Sequence, residues 1–204
     1  TKDNSSNLIS SNAFTKKITY NGLINTAFAS SSSIIAPNYV NVFVYDHAVQ
    51  NDGKIIIGGN FKYTYAGNST YRQRLMRVNT DGTLDTSFNV GKGINGTSVA
   101  GTEGYFINSI ALLPNNKIVL GGVFTNYNDN EVSNIVRLNS NGSFDSTFNS
   151  GTAFNNNVYK IIYQQDIDKL IVAGRFISYN SINSNYIIRL NSDGTIDSTF
   201  TSPF

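Results

Sequence analysis

The sequence predicts an all-β fold, a β-propeller-like array of four-stranded antiparallel blades, on three observations. A twelve-residue motif recurs, a short aliphatic run recurs upstream of it, and no stretch has a convincing helical period. The motif reads RVNTDGTLDTSF at 77–88, RLNSNGSFDSTF at 137–148 and RLNSDGTIDSTF at 189–200. Its glycines, Gly82, Gly142 and Gly194, are 60 and then 52 residues apart, and a period of this length is typical of stacked or radial repeat proteins.

Each motif contains a tight turn and a short capping sequence. The dipeptides Asp81-Gly82, Asn141-Gly142 and Asp193-Gly194 tolerate positive φ and so predict a hairpin. Three residues after each glycine is an aspartate (Asp85, Asp145 and Asp197), and each motif ends on a phenylalanine (Phe88, Phe148 and Phe200). We expect the carboxylate to accept local backbone N–H groups and the phenyl ring to anchor the strand end in the core. A calcium loop is the alternative for these oxygen-bearing turns, but the pattern lacks the full alternating Asp series and terminal Glu, which favours capping.

The composition is typical of a β-rich protein with a sizeable core. The 204 residues are 40% hydrophobic and 14% charged, so that Asn, Ser and Thr carry most of the polarity. The net charge of +2 is dispersed and gives no basic stripe, so no nucleic-acid partner is expected. No apolar run approaches the ~18 residues of a membrane helix, and no membrane insertion is expected. The sequence contains no Cys and therefore no disulfide or Cys-based metal site.

The chain begins, at residues 1–13, with a polar and unpatterned stretch that indicates a flexible lead-in. Residues 14–204 form the predicted β-propeller repeat domain. Its first part, 14–28, contains the degenerate motif copy ITYNGLINTAF and predicts a half-blade of two strands. Three whole blades follow, at about 39–88, 105–148 and 158–200.

Each predicted blade has the same four strands. The first strands are predicted at 39–50, 105–113 and 158–165, the second at 55–61, 118–124 and 170–176, and the third at 75–79, 135–139 and 186–191. The fourth strand follows the turn of the motif. Because the second strands are aliphatic without polar alternation, we expect them to be covered on both faces. Longer loops at 62–74, 125–134 and 177–185 join the second strands to the third.

Two linked motifs recur in register: the turn motif with its Asn, Asp-Gly, Asp and Phe, and an upstream run such as DGKIIIGGNF at 52–61. Together they resemble the delta-60-repeat β-propeller family of bacterial secreted and surface proteins, over about residues 14–200. The sequence departs from that pattern at DIDKLIVAG, 166–174, and at Leu23-Ile24-Asn25, where the motif has its Asp. The resemblance implies a propeller fold and an extracellular or cell-surface location, with a virion as the alternative. It implies fold far better than function.

Three blades and a half-blade do not close a ring of the usual four to eight blades. Either the chain is a fragment of a longer propeller, or copies associate, or a partner covers an open arc. An uncovered blade end would leave unpaired strand edges and an apolar face in water. We therefore expect a protein partner, a symmetry mate or the remainder of the chain to cover the blade ends.

No constellation of catalytic residues stands out in the sequence. His47 is the sole histidine and lies at the column that Ile110 occupies in the next blade, so a packed or channel-facing role is favoured over a general base. The Ser and Thr residues form no nucleophile elbow, and Gly58-Gly59 lies inside a strand rather than in a phosphate loop. We predict no enzyme activity, no cofactor and no metal site.

The longer loops offer tyrosines beside amides, which suits protein or glycan ligands. The candidate ligand-binding residues are Tyr63, Tyr65, Tyr71, Tyr127, Asn128, Asp129, Tyr179 and Asn180. Packing of these tyrosines onto the neighbouring blade is the alternative interpretation. The sequence thus predicts a non-catalytic interaction or scaffold module of a secreted or surface-exposed assembly. A purely structural component of a filament or phage virion and a lectin-like propeller are the alternative functions.

Overall fold

The computed structural model describes residues 43–64, 71–95 and 104–202, and the side chains of all of these except 62–64 and 71–73. The predicted lead-in at 1–13, the half-blade at 14–28 and Tyr65 lie outside the described residues. No helix in the described part is long and apolar enough to cross a membrane. The helical segments described are two 3-10 turns, Pro114–Asn116 and Gln165–Ile167.

Short strands form the framework of three repeats. The first repeat contains β1 (Phe43–Val49), β2 (Ile55–Thr64) and β3 (Tyr71–Val78), and β4 (Ile94–Asn95) follows it. The second contains β5 (Phe106–Leu112), β6 (Ile118–Val123), β7 (Asn126–Tyr127), β8 (Asn130–Glu131) and β9 (Ile135–Leu138). The third contains β10 (Val158–Gln164), β11 (Lys169–Gly174), β12 (Ser178–Tyr179), β13 (Ile182–Asn183) and β14 (Ile187–Asn191).

One three-stranded antiparallel sheet forms the body of each repeat, with the strand orders β1-β2-β3, β5-β6-β9 and β10-β11-β14. The four strands predicted for each blade are not all present in these sheets. The segment after each turn pairs through a single bridge, Val78 with Leu84 in the first repeat and its equivalents in the other two. The Phe88 N–H then donates to the Asp85 carbonyl at 3.3 Å, so the chain turns back towards the core instead of continuing as a strand.

Two of the predicted loops contain small hairpins. β7 pairs with β8 and β12 pairs with β13, inside the loops predicted at 125–134 and 177–185. β4, from the link between the first two repeats, adds a third strand to the β7-β8 pair. The loop prediction at 62–74 is wrong in part, because β2 and β3 extend into it and Tyr63 and Tyr71 are strand positions.

The paired glycines of the second strands make two different close contacts. A Cβ on Gly59 would meet the Phe43 carbonyl oxygen of β1 at 2.1 Å, beside a β-bulge in that strand. A Cβ on Gly58 would instead meet Ile107 of the second repeat at 2.8 Å. The close approach between repeats thus depends on the first glycine, whereas the second permits the bulge inside its own sheet.

The three sheets pack against one another through two apolar cores. At the first junction Ile56, Leu75 and Phe88 pack with Ile107, Ile110, Leu120 and Val136 of the second repeat. At the second junction Val119, Ile135 and Phe148 pack with Val158, Ile161, Val172 and Ile188 of the third repeat. We call the surface that a repeat turns towards the following repeat its forward face, and the opposite surface its backward face.

The forward face of the third repeat is more exposed than its two counterparts. Ile171 and Ala173 of β11 are half-buried, whereas the equivalent positions of β2 and β6 are buried. Ile162 is 54% exposed, whereas Ala111, at the equivalent position of the second repeat, is 6% exposed. The prediction that second strands are covered on both faces therefore holds for the residues of β2 and β6 whose side chains are described, but not for β11.

Candidate functional site at the repeat junctions

A buried ion pair between an arginine and the motif aspartate recurs in every repeat. The Nε groups of Arg77, Arg137 and Arg189 donate to the Oδ2 atoms of Asp85, Asp145 and Asp197 at 2.7, 2.7 and 2.6 Å. Lys54 and Lys117 donate to the first two of these atoms at 2.8 and 2.5 Å, and the Lys169 ammonium lies 3.9 Å from the third. Charge-assisted bonds of this kind are among the strongest hydrogen bonds in proteins, so each motif is held firmly to its sheet.

The other carboxylate oxygen of the same aspartate caps the end of the motif. Asp145 Oδ1 accepts the N–H of Thr147 at 3.0 Å and its hydroxyl at 2.6 Å, and Asp85 and Asp197 accept equivalent pairs of bonds. Burial alone would raise the pKa of Asp145, but hydrogen bonds from Lys117, Thr147 and Arg137 outweigh it and hold the pKa well below its usual range. The pKa of Asp85 is lowered against burial in the same way. Carboxylates this acidic are poorly suited to proton transfer near neutral pH.

The residues before the turn glycines bond within their own turns. Asp193 Oδ1 accepts the N–H and hydroxyl of Thr195 at 2.9 and 2.7 Å, and Asp81 and Asn141 make the equivalent bonds. The glycines Gly82, Gly142 and Gly194 have φ values of +83°, +87° and +92°, in the left-handed region. In the described part of the chain, no group of three or more His, Asp or Glu side chains is placed to hold a metal ion. In each motif the residue before the glycine and the motif aspartate thus serve separate hydrogen-bond partners.

The arginine of one repeat also bonds to the turn of the next repeat. Arg77 Nη1 donates to the Ser140 carbonyl at 2.7 Å, and Arg137 Nη1 donates to the Ser192 carbonyl at 2.6 Å. Arg189 makes no such bond to any described residue, and its side chain is 19% exposed against 8% for the other two. Each of the first two arginines therefore fixes both its own turn and the repeat that follows.

The phenylalanine that ends the motif packs on the turn of the next repeat. The Arg77 guanidinium lies 4.6 Å from the ring centroid of Phe88. A Cβ on Gly142 would meet that ring at 3.0 Å, and the N–H of Asn89 donates to the Asn141 carbonyl at 2.8 Å. The turn glycine therefore serves its own hairpin and also makes room for the ring of the preceding repeat.

Tyr127 and Tyr179 are core residues, contrary to their predicted ligand-binding role. Both are 0% exposed, and their hydroxyls donate to the Gly142 and Gly194 carbonyls at 2.5 and 2.6 Å. Burial raises the pKa of Tyr179. A ring without exposed surface offers no face to a ligand, so the packing interpretation applies to these two residues.

The polar loop residues of the prediction, Asn128, Asp129 and Asn180, lie nearer the surface. Asn128 and Asn180 are half-buried, and their Oδ1 atoms accept the N–H groups of Lys92 at 3.2 Å and Ala153 at 3.0 Å. These bonds tie each loop to the segment that precedes its repeat. Asp129 is exposed and pairs with the Lys92 ammonium at 2.8 Å. Asp129 is thus the most accessible of the three.

A polar column crosses the first strands of the three repeats. Asp46, Ser109 and Lys160 occupy equivalent positions just after the bulges in β1, β5 and β10. Asp46 Oδ2 accepts both the Ser109 hydroxyl and the Lys160 ammonium at 3.2 Å, and its Oδ1 accepts the His47 N–H at 3.0 Å. Sequence reasoning weighs His47 as a general base and misses this column, because the bulge changes the alternation of side chains along each strand.

Comparison with known protein families assigns the repeats. A family described as a β-propeller domain of unknown function (DUF5122) matches residues 50–88, 113–148 and 168–200, just over half of the chain. The chain belongs to this β-propeller family. No match was found among curated proteins or among solved structures.

The DUF5122 match covers the same part of each repeat. Each matched segment contains the second strand, the third strand and the turn motif, so that Lys117, Arg137, Asp145 and Phe148 all lie inside one segment. The column of Asp46, Ser109 and Lys160 lies outside the segments. The turn-motif contacts at the junctions are therefore made by DUF5122 segments, whereas the first strands β5 and β10, which pack on the preceding repeat, lie outside them.

Proposed function

We propose that the chain is a non-catalytic interaction and scaffold module of a secreted or surface-exposed assembly. The observation that supports this most strongly is the repeated junction. Two of the three forward faces are covered by a following repeat, and the third presents Arg189, Ile171 and Ile187 in the same places with greater exposure. An apolar surface that also carries a hydrogen-bonding arginine is typical of a docking surface.

We also propose the finer grouping of the repeats. The turn motif in all three repeats supports a delta-60 type, and the DUF5122 match supports a propeller family in the broader sense. In this proposal each repeat is a propeller blade whose fourth strand is reduced to one bridge. The secreted or cell-surface location rests on the same grouping.

The partner proposed for the forward face of the third repeat is a further repeat of the same family. Repeat-on-repeat packing covers both equivalent faces, and the Nη1 donor of Arg189 matches a turn carbonyl in such a partner. Ala173 replaces the Gly121 of the second repeat, and Ile162 replaces its Ala111. The covering repeat must therefore carry smaller residues in its first strand than the third repeat carries in β10.

The test is a lengthened chain in which residues 151–202 are repeated directly after Ser202, with Ala at the added positions equivalent to Val158 and Ile161. Docking of the added repeat should raise the midpoint of thermal unfolding and protect its amides from hydrogen exchange. The matched control carries Lys at the added positions equivalent to Leu170 and Val172, which should prevent docking. An unchanged midpoint and an unprotected added repeat would refute the proposed partner.

The loops around β7-β8 and β12-β13 form a second proposed contact surface. Asp129 is exposed there, and Ile177, Ile182 and Tyr186 are 53%, 55% and 50% exposed. Exposed aliphatic and aromatic side chains beside polar groups suit a protein partner. Loss of cell-surface attachment in an Ile177→Lys, Ile182→Lys variant of unchanged stability would support this contact.

A purely structural role in a filament or virion is the alternative function. The burial of Tyr127 and Tyr179 favours it, because these rings strengthen the scaffold and offer nothing to a ligand. The two roles differ in the attachment experiment. A chain that never attaches, and whose loop variants change nothing but assembly size, would be a spacer.

A further inference from the structure

A cleft opens at the second repeat junction. Its volume is about 260 Å³, and its lining includes Tyr105 and Phe124 together with Asn134 and the run Asn155–Asn157. The cleft lies beside the first residues of β10, away from the forward face of the third repeat. It is somewhat smaller than the pockets of about 300–1,000 Å³ that bind whole small molecules.

At the first junction an arginine occupies the equivalent place. Arg74 and Asn134 are equivalent residues in the chain, and both have left-handed backbone, with φ values of 70° and 64°. Arg74 is 6% exposed, its guanidinium lies 5.6 Å from the ring centroid of Tyr105, and its Nη1 donates to the Phe61 carbonyl at 3.4 Å. Asn134 has a much shorter side chain, which leaves the corresponding volume open.

The cleft carries hydrogen-bonding groups that the protein does not use. Asn155 Oδ1 accepts the N–H groups of Ile177 and Ser178 at 3.0 and 3.1 Å, and Asn156 Oδ1 accepts that of Asn157 at 2.8 Å. The side-chain NH₂ groups of these three asparagines and the Tyr105 hydroxyl make no hydrogen bond to any described residue. No charged side chain is among the described residues that line the cleft. The cleft therefore combines several neutral donors with aromatic surface.

We propose that this cleft binds one unit of a neutral carbohydrate. Sugar hydroxyls both donate and accept hydrogen bonds, which suits amide and phenol groups, and the C–H face of a sugar ring suits contact with the half-buried Tyr105. The lack of Lys and Arg in the lining disfavours phosphates and acidic sugars. This ligand site rests on the interaction role proposed above and gives that role a ligand class. The cleft is a different surface from the forward face of the third repeat.

The decisive variant gives the second junction the tyrosine that the first junction has at the equivalent position. Asn156 occupies the position equivalent to Tyr105 and is exposed, so Asn156→Tyr should fill the cleft without disturbing the core. A second variant, Asn134→Arg, should also fill the cleft, because it places an arginine at the position equivalent to Arg74. Gln165→Tyr is the matched control, since it adds the same bulk at the other end of β10, about 20 Å away.

The full chain is applied to an array of neutral and sialylated oligosaccharides, and the strongest neutral binder is then titrated against each variant. Wild type and Gln165→Tyr should bind a neutral glycan alike, and Asn156→Tyr should bind about tenfold more weakly or worse, with unchanged thermal stability. Binding of sialylated glycans alone, no neutral binder, or undiminished binding by Asn156→Tyr would overturn the proposal. None of these outcomes bears on the lengthened chain, whose unfolding midpoint tests the docking role separately.

Discussion

Arg137 and Ser192 join the second repeat to the third, through a hydrogen bond of 2.6 Å from Nη1 to the carbonyl oxygen. The Nε of the same guanidinium holds Asp145 at 2.7 Å. Arg189 pairs with its own aspartate in the same way but reaches no turn carbonyl of another described repeat. The chain thus contains matched arginines with and without the bond between repeats.

Arg137→Gln should destabilise the protein more than Arg189→Gln does. Loss of Arg137 leaves the buried Asp145 with Lys117 as its remaining cation, so the cost should approach but not exceed the roughly 3–5 kcal/mol of a broken buried pair. The cost at Arg189 should be smaller by about 1.5 kcal/mol or more, because no charge-assisted bond to a following repeat is lost. Urea unfolding of both variants measures the difference. Lys92→Gln, from an exposed ion pair, is the control and should change stability by less than about 1 kcal/mol. Equal losses at Arg137 and Arg189 would show that the bond between repeats contributes nothing.

Asp145→Asn should flatten the dependence of stability on acid pH. The folded-state pKa of Asp145 lies well below its unfolded value near 3.9, so the stability that its ionised form contributes is present above about pH 4. That contribution declines as the pH falls below about 4 towards the folded-state pKa, because the unfolded chain then binds a proton that the folded chain does not. The variant should be less stable at neutral pH and should lose less stability on acidification. Unfolding free energies measured between about pH 2 and 7 test this, and a profile as steep as that of wild type would contradict it.

Tyr127→Phe should lower stability by about 1 kcal/mol, because the Gly142 carbonyl loses its donor in the core. Tyr179→Phe should behave alike, since its hydroxyl bonds to the equivalent Gly194 carbonyl. Tyr159→Phe is the matched control at a residue that is 51% exposed, and it should change nothing. Thermal unfolding together with binding to cells or glycans measures both properties. A Tyr127→Phe variant that kept its stability and lost ligand binding would contradict the packing role and support a ligand-binding role for Tyr127.

Gly121→Ala should destabilise the second junction. The added Cβ would meet Val158 at 2.5 Å and Ile161 at 2.7 Å, and overpacking of this kind costs about 1–3 kcal/mol. Ala173→Gly makes the reverse change at the equivalent position of the third repeat, where no described repeat follows. It should cost about 1 kcal/mol or less, the general penalty of glycine in a strand. Chemical unfolding of both variants provides the measurement, and a harmless Gly121→Ala would show that the sheets can move apart at this point.

Much of the local architecture could be predicted from the sequence. The repeat period, the antiparallel strands and the hairpins at Gly82, Gly142 and Gly194 are all visible in the pattern of residues. They depend on side chains and backbone within a few positions of one another, such as an Asp beside a Gly that tolerates positive φ. The β-propeller family match agrees with this part of the prediction.

The candidate site was predicted less well. The motif aspartates were expected to bond only to nearby backbone, and the pattern gave no sign that Arg137, eight residues before Asp145, would share that carboxylate. The sequence predicts loops at 125–134 and 177–185, with Tyr127 and Tyr179 among asparagines. Their hairpins in fact direct the rings inward, to carbonyls fifteen residues away.

The short antiparallel strands and the capped turn of every repeat follow from the order of residues alone, because turn chemistry and strand alternation act over a few residues. Packing in three dimensions gives each sheet its three strands, brings Arg77 and Arg137 to the turn of the next repeat, and opens a cleft beside Asn134. The two arginine bonds join residues that lie some fifty or more positions apart in the chain. Their side chains meet only after the sheets have packed, and local sequence patterns do not predict contacts of that kind.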